Sequence, residues 1–385
     1  MKLFERAIEK RLQESLFKGK IICLYGPRRS GKTTLVKKIL AEFCNEGYYL
    51  NCEDARERNY LVVGRADILK TYIGNKKMVV LDEAQTIEHI GKILKLFVDT
   101  YPEIQLIATG SSSFDLANRV GEPLVGRAYE FLLYPLSVGE LVTAYSKQEV
   151  IKNSEHFLRF GTYPSVVDVS GDEKINLLSA IASNYLYKDI FTFEHIRKPK
   201  LLEDLLKLLA LQIGSEVSLN ELAGKLEVSR PTVERYLELL EKTYVVRRLY
   251  TLKRNLRNEV RGNFKVFFYD LGVRNYLINN FNTLETRTDS GALFESFFIM
   301  ERIKYHHNTN GYIPFIYFWR TYDQKEIDLV EEQNGRFTLF ECKLNNEKRN
   351  TRAFTAFKAV YPESSYTCVT PSHFVEYLLL GVDTK

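Results

Sequence analysis

The sequence predicts an α/β chain: a parallel sheet covered by helices, a helical middle, and a second, smaller α/β unit. Three observations predict it. From residue 20 onward, short apolar runs alternate with amphipathic ones. Residues 218–237 carry helical spacing interrupted by a turn, and residues 325–343 alternate apolar and polar side chains about an Asn-Gly pair. Alternating strand and helix units imply a parallel sheet, whereas period-two alternation around Asn-Gly marks a hairpin. At 385 residues the chain is too long for one ordinary core, so two or three domains are expected.

Residues 20–25 (KIICLY) are the first predicted strand, and residues 32–43 the first helix, with Leu35, Ile39, Leu40 and Phe43 at helical spacing. Further strands are expected over 48–51, 78–81 and 105–108, with a helix over 90–100 between the last two. Between the first strand and its helix stands Gly26-Pro27-Arg28-Arg29-Ser30-Gly31-Lys32-Thr33, followed by Thr34. This is a complete GxxxxGK[ST]. Its glycines let backbone N–H groups curl around phosphate oxygens at a helix N-terminus, where the dipole favours anions. Lys32 brings charge to the β- and γ-phosphates, and the Thr33 hydroxyl is suited to ligate Mg²⁺. A chance glycine-rich turn would need strand, helix and full spacing to coincide.

Residues 78–83 (MVVLDE) end a strand in two acids. Asp82 is placed to hold Mg²⁺ and Glu83 to polarise the attacking water. ATP and Mg²⁺ are therefore the expected cofactors, and the acid pair favours hydrolysis over binding alone. The next strand runs into Thr109-Gly110-Ser111-Ser112-Ser113, where Ser111 is a candidate γ-phosphate sensor and a plain serine loop the alternative. Arg127 follows Gly126 and precedes an apolar stretch over 131–136. Two readings of it weigh equally: a finger reaching phosphate in cis or across a subunit contact, or a solvated arginine.

The strings LYGPRRSGKTTL, LDEAQ, ATGSSS and LVGRAYEFLLYPLSVGEL resemble those of archaeal and bacterial AAA-type ATPases with a C-terminal nuclease-like domain. The resemblance extends across almost the whole chain, and its most specific element surrounds Arg127 and Glu140. It implies a nucleotide site of Lys32, Thr33, Asp82, Glu83 and Ser111, with Arg127 as the finger. It also implies that the Thr109 strand lies between the P-loop and Asp82 strands. Phe160-Gly161-Thr162-Tyr163-Pro164 matches the family's short turn and is read as structural.

The stretch 218–237 reads as a helix-turn-helix. Leu222, Ala223, Leu226 and Val228 are its buried positions, Ser229 caps the second helix, and Pro231 sits in that helix's first turn. Arg230, Thr232 and Arg235 would project from it. Residues 244–252 and 264–270 read as the strands of a wing. Around them cluster Arg247, Arg248, Lys253, Arg254, Arg257, Arg261 and Lys265, opposed by little more than Glu259. Such a stripe suits DNA phosphate contacts, with Arg254 and Arg257 as the leading candidates; a protein-packing winged helix is the alternative.

In the last unit Glu295 stands on a predicted helix amid apolar neighbours, and the hairpin strands carry Asp328, Glu341 and Lys343. Strand side chains alternate, so Glu341 and Lys343 share a face that Asp328 meets from across the hairpin. Two acids suit a second Mg²⁺, or Mn²⁺, and the lysine suits orientation of water. The Asp-x(n)-Glu-x-Lys pattern resembles the PD-(D/E)XK restriction-endonuclease-like fold, with Ile327 where the pattern's proline would stand. An exposed hairpin of mixed charge is the bland alternative, and fold alone does not imply cleavage.

Three domains are thus expected: a P-loop ATPase core over 1–145, a helical connector with winged helix over 146–268, and a nuclease-like domain over 269–385. Hydrophobic residues make up 45% and charged residues 27%, a folded composition, and a net charge of +5 says little about partners. Five scattered cysteines without CxxC spacing argue against zinc ribbons and disulfide frameworks. The charged start lacks the apolar run of a signal peptide, and no stretch nears the ~20 apolar residues of a membrane span. A cytoplasmic protein is expected, with DNA or a protein as partner and a homo-oligomer if Arg127 acts in trans. Its function is either an ATPase controlling a metal-dependent DNA endonuclease, or a switch ATPase whose tail binds without cutting.

Overall fold

Five apolar runs pair edge to edge as a parallel sheet: β1 (Ile21–Tyr25), β2 (Gly47–Asn51), β3 (Met78–Asp82), β4 (Gln105–Gly110) and β5 (Ala128–Leu132). Their order is β2-β3-β4-β1-β5, so β4 separates the P-loop strand from the Asp82 strand. The computed structural model describes residues 2–110, 124–183, 199–252, 263–345 (less 322 and 324) and 351–379.

β1, β3 and β4 are buried at every position, because helices cover both faces of the sheet. Successive residues of β1 serve opposite cores. Ile22 and Leu24 pack with Leu35, Val36 and Ile39 of the Lys32–Ala41 helix, whereas Cys23 joins Ile93, Leu94 and Phe97 of the Ile90–Thr100 helix. Parallel strands share one C-terminal edge, and at that edge stand the loop after β1, Asp82 and Thr109.

The middle contains the helices Pro199–Leu211, Leu219–Lys225 and Arg230–Lys242, with a three-stranded sheet of β6 (Glu216–Val217), β7 (Val246–Tyr250) and β8 (Phe264–Phe268) in the order β6-β8-β7. Ser229 accepts the Thr232 N–H, and Pro231 occupies the first helical turn as expected. Leu205, Leu209, Leu222, Val233, Leu237, Val266 and Phe268 form the core. Val273 and Leu277 of the Leu271–Leu277 helix join it, so a boundary after 268 would cut through packed side chains. That helix approaches its neighbour very closely: a Cβ on Gly272 would lie 2.1 Å from the Phe160 carbonyl oxygen.

The last unit sets the 21-residue helix Ser290–Asn310 against β9 (Phe315–Arg320), β10 (Glu326–Gln333), β11 (Arg336–Cys342) and β12 (Ser365–Val369) in the order β12-β11-β10-β9. Asn334 (φ 54°) and Gly335 (φ 77°) make the hairpin turn, and β12 runs parallel to β11 after the Thr351–Lys358 helix. Among the described residues, no helix is long and apolar enough to cross a membrane.

Candidate active sites

The loop after β1 curls because Gly26 (φ 147°), Arg29 (φ 61°) and Gly31 (φ 102°) adopt positive φ. A Cβ on Gly26 would lie 2.2 Å from the Leu133 carbonyl oxygen, so only glycine fits there. Lys32 folds back over the loop, its Nζ donating to the carbonyls of Gly26 (2.9 Å) and Pro27 (3.0 Å). No side chain caps the helix that begins at Lys32, which leaves its first N–H groups for a ligand. Ser30 is fully buried, and its hydroxyl has no hydrogen-bond partner among the described residues.

Asp82 faces this loop from the end of β3. Its carboxylate accepts from Thr33 (2.8 Å), from Tyr49 (2.5 Å) and from Thr109. A hydroxyl and a carboxylate side by side are hard oxygen donors of the kind Mg²⁺ takes. Together with the uncapped helix and the orphan Ser30 hydroxyl, they fit a Mg²⁺–polyphosphate ligand. Glu83 is held in the left-handed region (φ 55°), its N–H on the Thr109 hydroxyl at 3.1 Å and its carboxylate accepting from the Gln85 amide. Lys32, Thr33, Thr34, Glu83 and Arg29 line a cavity of about 580 Å³ that Phe4 and Pro164 help to close. A larger depression of about 770 Å³, lined by Lys200, Lys207 and Lys225, contains none of the P-loop residues and neither Asp82 nor Glu83. Arg28 is half-buried beside this site, and Ser111 lies outside the described residues.

Arg127 is elsewhere. Its carbonyl accepts the Ile21 N–H and Ala128 pairs with Ile21, at the start of β1 and thus at the edge opposite the P-loop. A five-residue strand spans ~16 Å at ~3.3 Å per residue, beyond an arginine's reach. The cis finger is therefore excluded, and the guanidinium instead pairs with Asp99 at 2.7 Å on the surface.

The sequence reading passed over Arg6. It is buried, and its guanidinium donates to Glu140 (2.9 Å), to the Ser30 carbonyl inside the P-loop (2.5 Å) and to the Tyr134 carbonyl (2.7 Å). Burial opposes ionisation of Glu140, yet Arg6 prevails and holds that carboxyl below its ordinary range. Ser137 and Glu140 form a capping box, and the adjoining Val138 N–H donates to Glu301 at 2.6 Å. Lys304 links Glu301 (2.6 Å) to the Leu136 carbonyl (3.1 Å) and the Thr162 hydroxyl (3.2 Å). A chain of buried hydrogen bonds thus runs from the P-loop to the Ser290–Asn310 helix. Its sequence signal was the Ser-x-x-Glu of residues 137–140.

That same helix carries Glu295, and the structure brings Glu295, Asp328, Glu341 and Lys343 into one locality. Asp328 accepts the Cys342 N–H at 2.7 Å, Lys343 pairs with Glu341 Oε1 at 2.8 Å, and Glu341 Oε2 is buried with no partner among the described residues. Two members were not anticipated. Lys265 of β8, its side chain 1% exposed, puts Nζ 2.7 Å from Glu295 and 2.6 Å from Glu326. Burial by itself would depress the lysine's pKa, but the two carboxylates hold it above the ordinary value. Burial, then the charge of Asp328, pushes Glu295 and Glu341 upward, and burial does the same to Asp328. Among the described residues no three His, Cys, Asp or Glu side chains are gathered around a vacant metal position. The donors are carboxylate oxygens suited to a hard divalent cation, with a lysine among them.

The basic wing needs correction. Lys265 belongs to the acidic site, Arg247 turns inward onto Tyr269, and Arg248 pairs with Glu241 at 2.5 Å. β7 and β8 are antiparallel, and their alternation sends these cations toward partners rather than onto one stripe. Arg230 and Arg235 are exposed and Thr232 half-exposed on the second helix, with the Thr232 hydroxyl 2.8 Å from that of Ser229. Lys253, Arg254, Arg257 and Arg261 lie outside the described residues.

Three family profiles match successive parts of the chain: an AAA domain over 18–142, a domain of unknown function (DUF8612) over 151–284, and another (DUF4143) over 290–377. Residues 18–142 are an AAA-type ATPase domain. ATP, usually with Mg²⁺, is the cofactor such a domain takes. An uncharacterized protein of Mycobacterium tuberculosis is 27% identical over 336 residues, covering 86% of this chain and 72% of that protein. One from Methanocaldococcus jannaschii is 26% identical, covering 72% and 66%. Two solved structures align at 12% identity. The Pif1 helicase from Candida albicans has a TM-score of 0.27 over 46% of this chain and 47% of that one. The Drosophila ORC bound to AT-rich DNA and Cdc6 has a TM-score of 0.25 over 71% and 89%. At those scores neither indicates what this chain binds.

Proposed function

We propose that the AAA-type domain hydrolyses ATP with Mg²⁺ and that its cycle is transmitted to a DNA-associated, nuclease-like C-terminal domain. The observation that carries this reading is the convergence of Lys32, Thr33 and Glu83 on one cavity, with Asp82 bonded to the Thr33 hydroxyl beside it, joined by Arg6 and Glu140 to the helix bearing Glu295. Lys32 would exchange its carbonyl partners for β- and γ-phosphate oxygens, while the Ser30 hydroxyl and the first N–H groups of the following helix take the remainder. Thr33 and Asp82 would hold Mg²⁺, which when bound neutralises charge developing on the phosphates. Glu83 leaves the Gln85 amide and accepts the proton of the attacking water at its carboxylate. Arg127, remote from its own P-loop, acts in trans on a second copy. Ser111 completes the site as a γ-phosphate contact.

The modules are an ATPase domain over 1–145, a winged-helix connector over 146–268 whose core continues to Leu277, and a nuclease-like domain in the remainder to 385. Arg230, Thr232, Arg235, Arg254 and Arg257 are the proposed DNA contacts. None of the five cysteines is in a disulfide, which suits a reducing cytoplasm. The second reading, a switch whose tail binds DNA or protein without cutting, is favoured by one observation: Lys265 stands among the acids that would hold metal. Hydrolysis and plasmid cleavage by wild type, Glu83→Gln and Asp328→Asn test both readings. Cleavage that needs ATP turnover and Asp328 supports the first. Turnover without cleavage of any DNA form supports the second, and equal turnover by wild type and Glu83→Gln removes Glu83 from its role.

A further inference from the structure

Lys265 is a residue of the middle module inserted into the last one. Its β8 belongs to the β6-β8-β7 sheet, whereas Glu295 stands on the Ser290–Asn310 helix and Glu326 on β10. The contact is one of several that press the two modules together at this place. Arg320 of β9 bridges Glu216 of β6 (3.1 Å) and Glu326 (3.5 Å), and the Leu252 N–H, just past β7, donates to the Phe318 carbonyl at 2.7 Å. Gly214 abuts the acidic helix so closely that a Cβ there would lie 2.8 Å from Ala292 Cβ and 3.5 Å from Glu295 Oε2.

The charges explain why a cation is needed. Glu295, Glu326, Asp328 and Glu341 are crowded together largely out of water, and among the described residues Lys265, Lys343 and Arg320 are cations that face them. Buried carboxylates that close repel one another unless a positive charge stands among them. An ammonium between Glu295 and Glu326 meets that need much as a divalent ion would, although with one charge and no open coordination position. The site remains under-satisfied on its other side, where Glu341, 3% exposed, keeps Oε2 without a partner among the described residues. A buried, unpaired carboxylate oxygen is an acceptor awaiting a donor or an ion.

We propose that Lys265 is an in-chain substitute for the divalent cation of the acidic site, so that the middle module keeps the site closed and metal enters only as β8 withdraws. The proposal rests on reading Glu295, Asp328, Glu341 and Lys343 as a nuclease-like metal site. It makes the middle module the regulator of that site: whatever moves β8 relative to β10 arms the last domain.

The test uses the full chain without nucleotide, with Mn²⁺ as the probe and free Mn²⁺ read by electron paramagnetic resonance. Lys265→Met should tighten Mn²⁺ binding at least ~10-fold over wild type, because the competing charge is gone, and adding Asp328→Asn should erase the gain. Should Lys265→Met fail to fold alone, Mn²⁺ should restore its cooperative melting, and should not restore that of the double variant; failure of that rescue overturns the proposal. The unaltered chain offers a second readout. Lys265 should resist an amine-acetylating reagent without metal and become several-fold more reactive, by peptide mass spectrometry, as Mn²⁺ saturates. Equal Mn²⁺ affinity in wild type and Lys265→Met, or Mn²⁺ bound with Lys265 still protected, overturns the proposal and leaves the metal-site reading standing. Absence of Mn²⁺ binding by every variant overturns both.

Discussion

Two lysines make the most instructive comparison in this molecule. Lys32 and Lys265 are both buried, and both end beside oxygen acceptors within 3.0 Å. Lys32 donates to two neutral backbone carbonyls beside a cavity, and an arriving phosphate oxygen is a better acceptor than either of them. Lys265 rests on two carboxylates with 1% of its side chain exposed, so nothing that arrives improves on its partners except a competing cation for the acids themselves. One cation is poised for a ligand and the other stands in a ligand's place. The difference lies in which element supplies the lysine: the P-loop lysine comes from the site's own helix, whereas Lys265 comes from a neighbouring module.

The largest effect expected lies at the first site. Glu83→Gln should lower ATP turnover by ~10²–10⁴ while nucleotide binding stays near wild type, because one group serves the water and not the phosphate. Lys32→Ala should lower turnover by ~10² or more and weaken binding as well. Turnover assays beside equilibrium binding of a fluorescent ATP analogue separate the two. If Glu83→Gln weakens binding as much as Lys32→Ala does, the division of labour is wrong.

At the second site Lys265→Met should destabilise the chain by about 3–5 kcal/mol, since it leaves Glu295 without its counter-charge and Glu326 with Arg320 alone. Urea unfolding measures it, and a loss below about 1 kcal/mol would mean the pair is dispensable. The Arg302–Glu331–His306 cluster gives a reference inside the same unit, with Glu331 2.5 Å from Arg302 and 3.0 Å from His306. Burial opposes ionisation of Glu331, but Arg302 and then His306 pull its pKa down to about 2. A carboxyl lowered in the folded state stabilises above its unfolded pKa, near 4.5, and the contribution is lost as pH falls toward 2. About 2–3 kcal/mol should disappear over that window, and Glu331→Gln should flatten the profile of urea midpoint against pH. Glu295, Asp328 and Glu341 are pushed the opposite way and should not add to the acid loss. Smallest of all, Lys343→Ala should change stability by about 1 kcal/mol or less, because that ammonium is 38% exposed and screened.

What was legible in the sequence follows the same division. The P-loop, Asp82 and the parallel sheet depend on residues near one another in the chain and on strand ends, and local patterns announce both. β9 went unread although it pairs with the next strand, β10, because FIYFWR does not alternate and no Asn-Gly marks the short connection; β12 went unread because SYTCV joins β11 only through a crossover. Arg6 was invisible because its partners lie 24 to 134 residues away. Lys265 was read as part of a basic stripe: charge counted along a sequence ignores which face a strand presents. For a similar reason the sequence could not choose between a cis and a trans role for Arg127, since proximity to a glycine motif says nothing about which end of a strand it occupies.

The backbone bond between Leu252 and Phe318 has a practical bearing on how the protein can be divided. It covers the outer rim of β9, the terminal strand of its sheet. Severed from the middle module, that rim would be left with unsatisfied amide groups beside Phe315, which is already 70% exposed. Bare strand edges of this kind recruit other chains. Expressed alone, the last unit should therefore self-associate into β-rich aggregates unless a charged residue is placed on β9 or the strand pair β7–β8 is carried along with it.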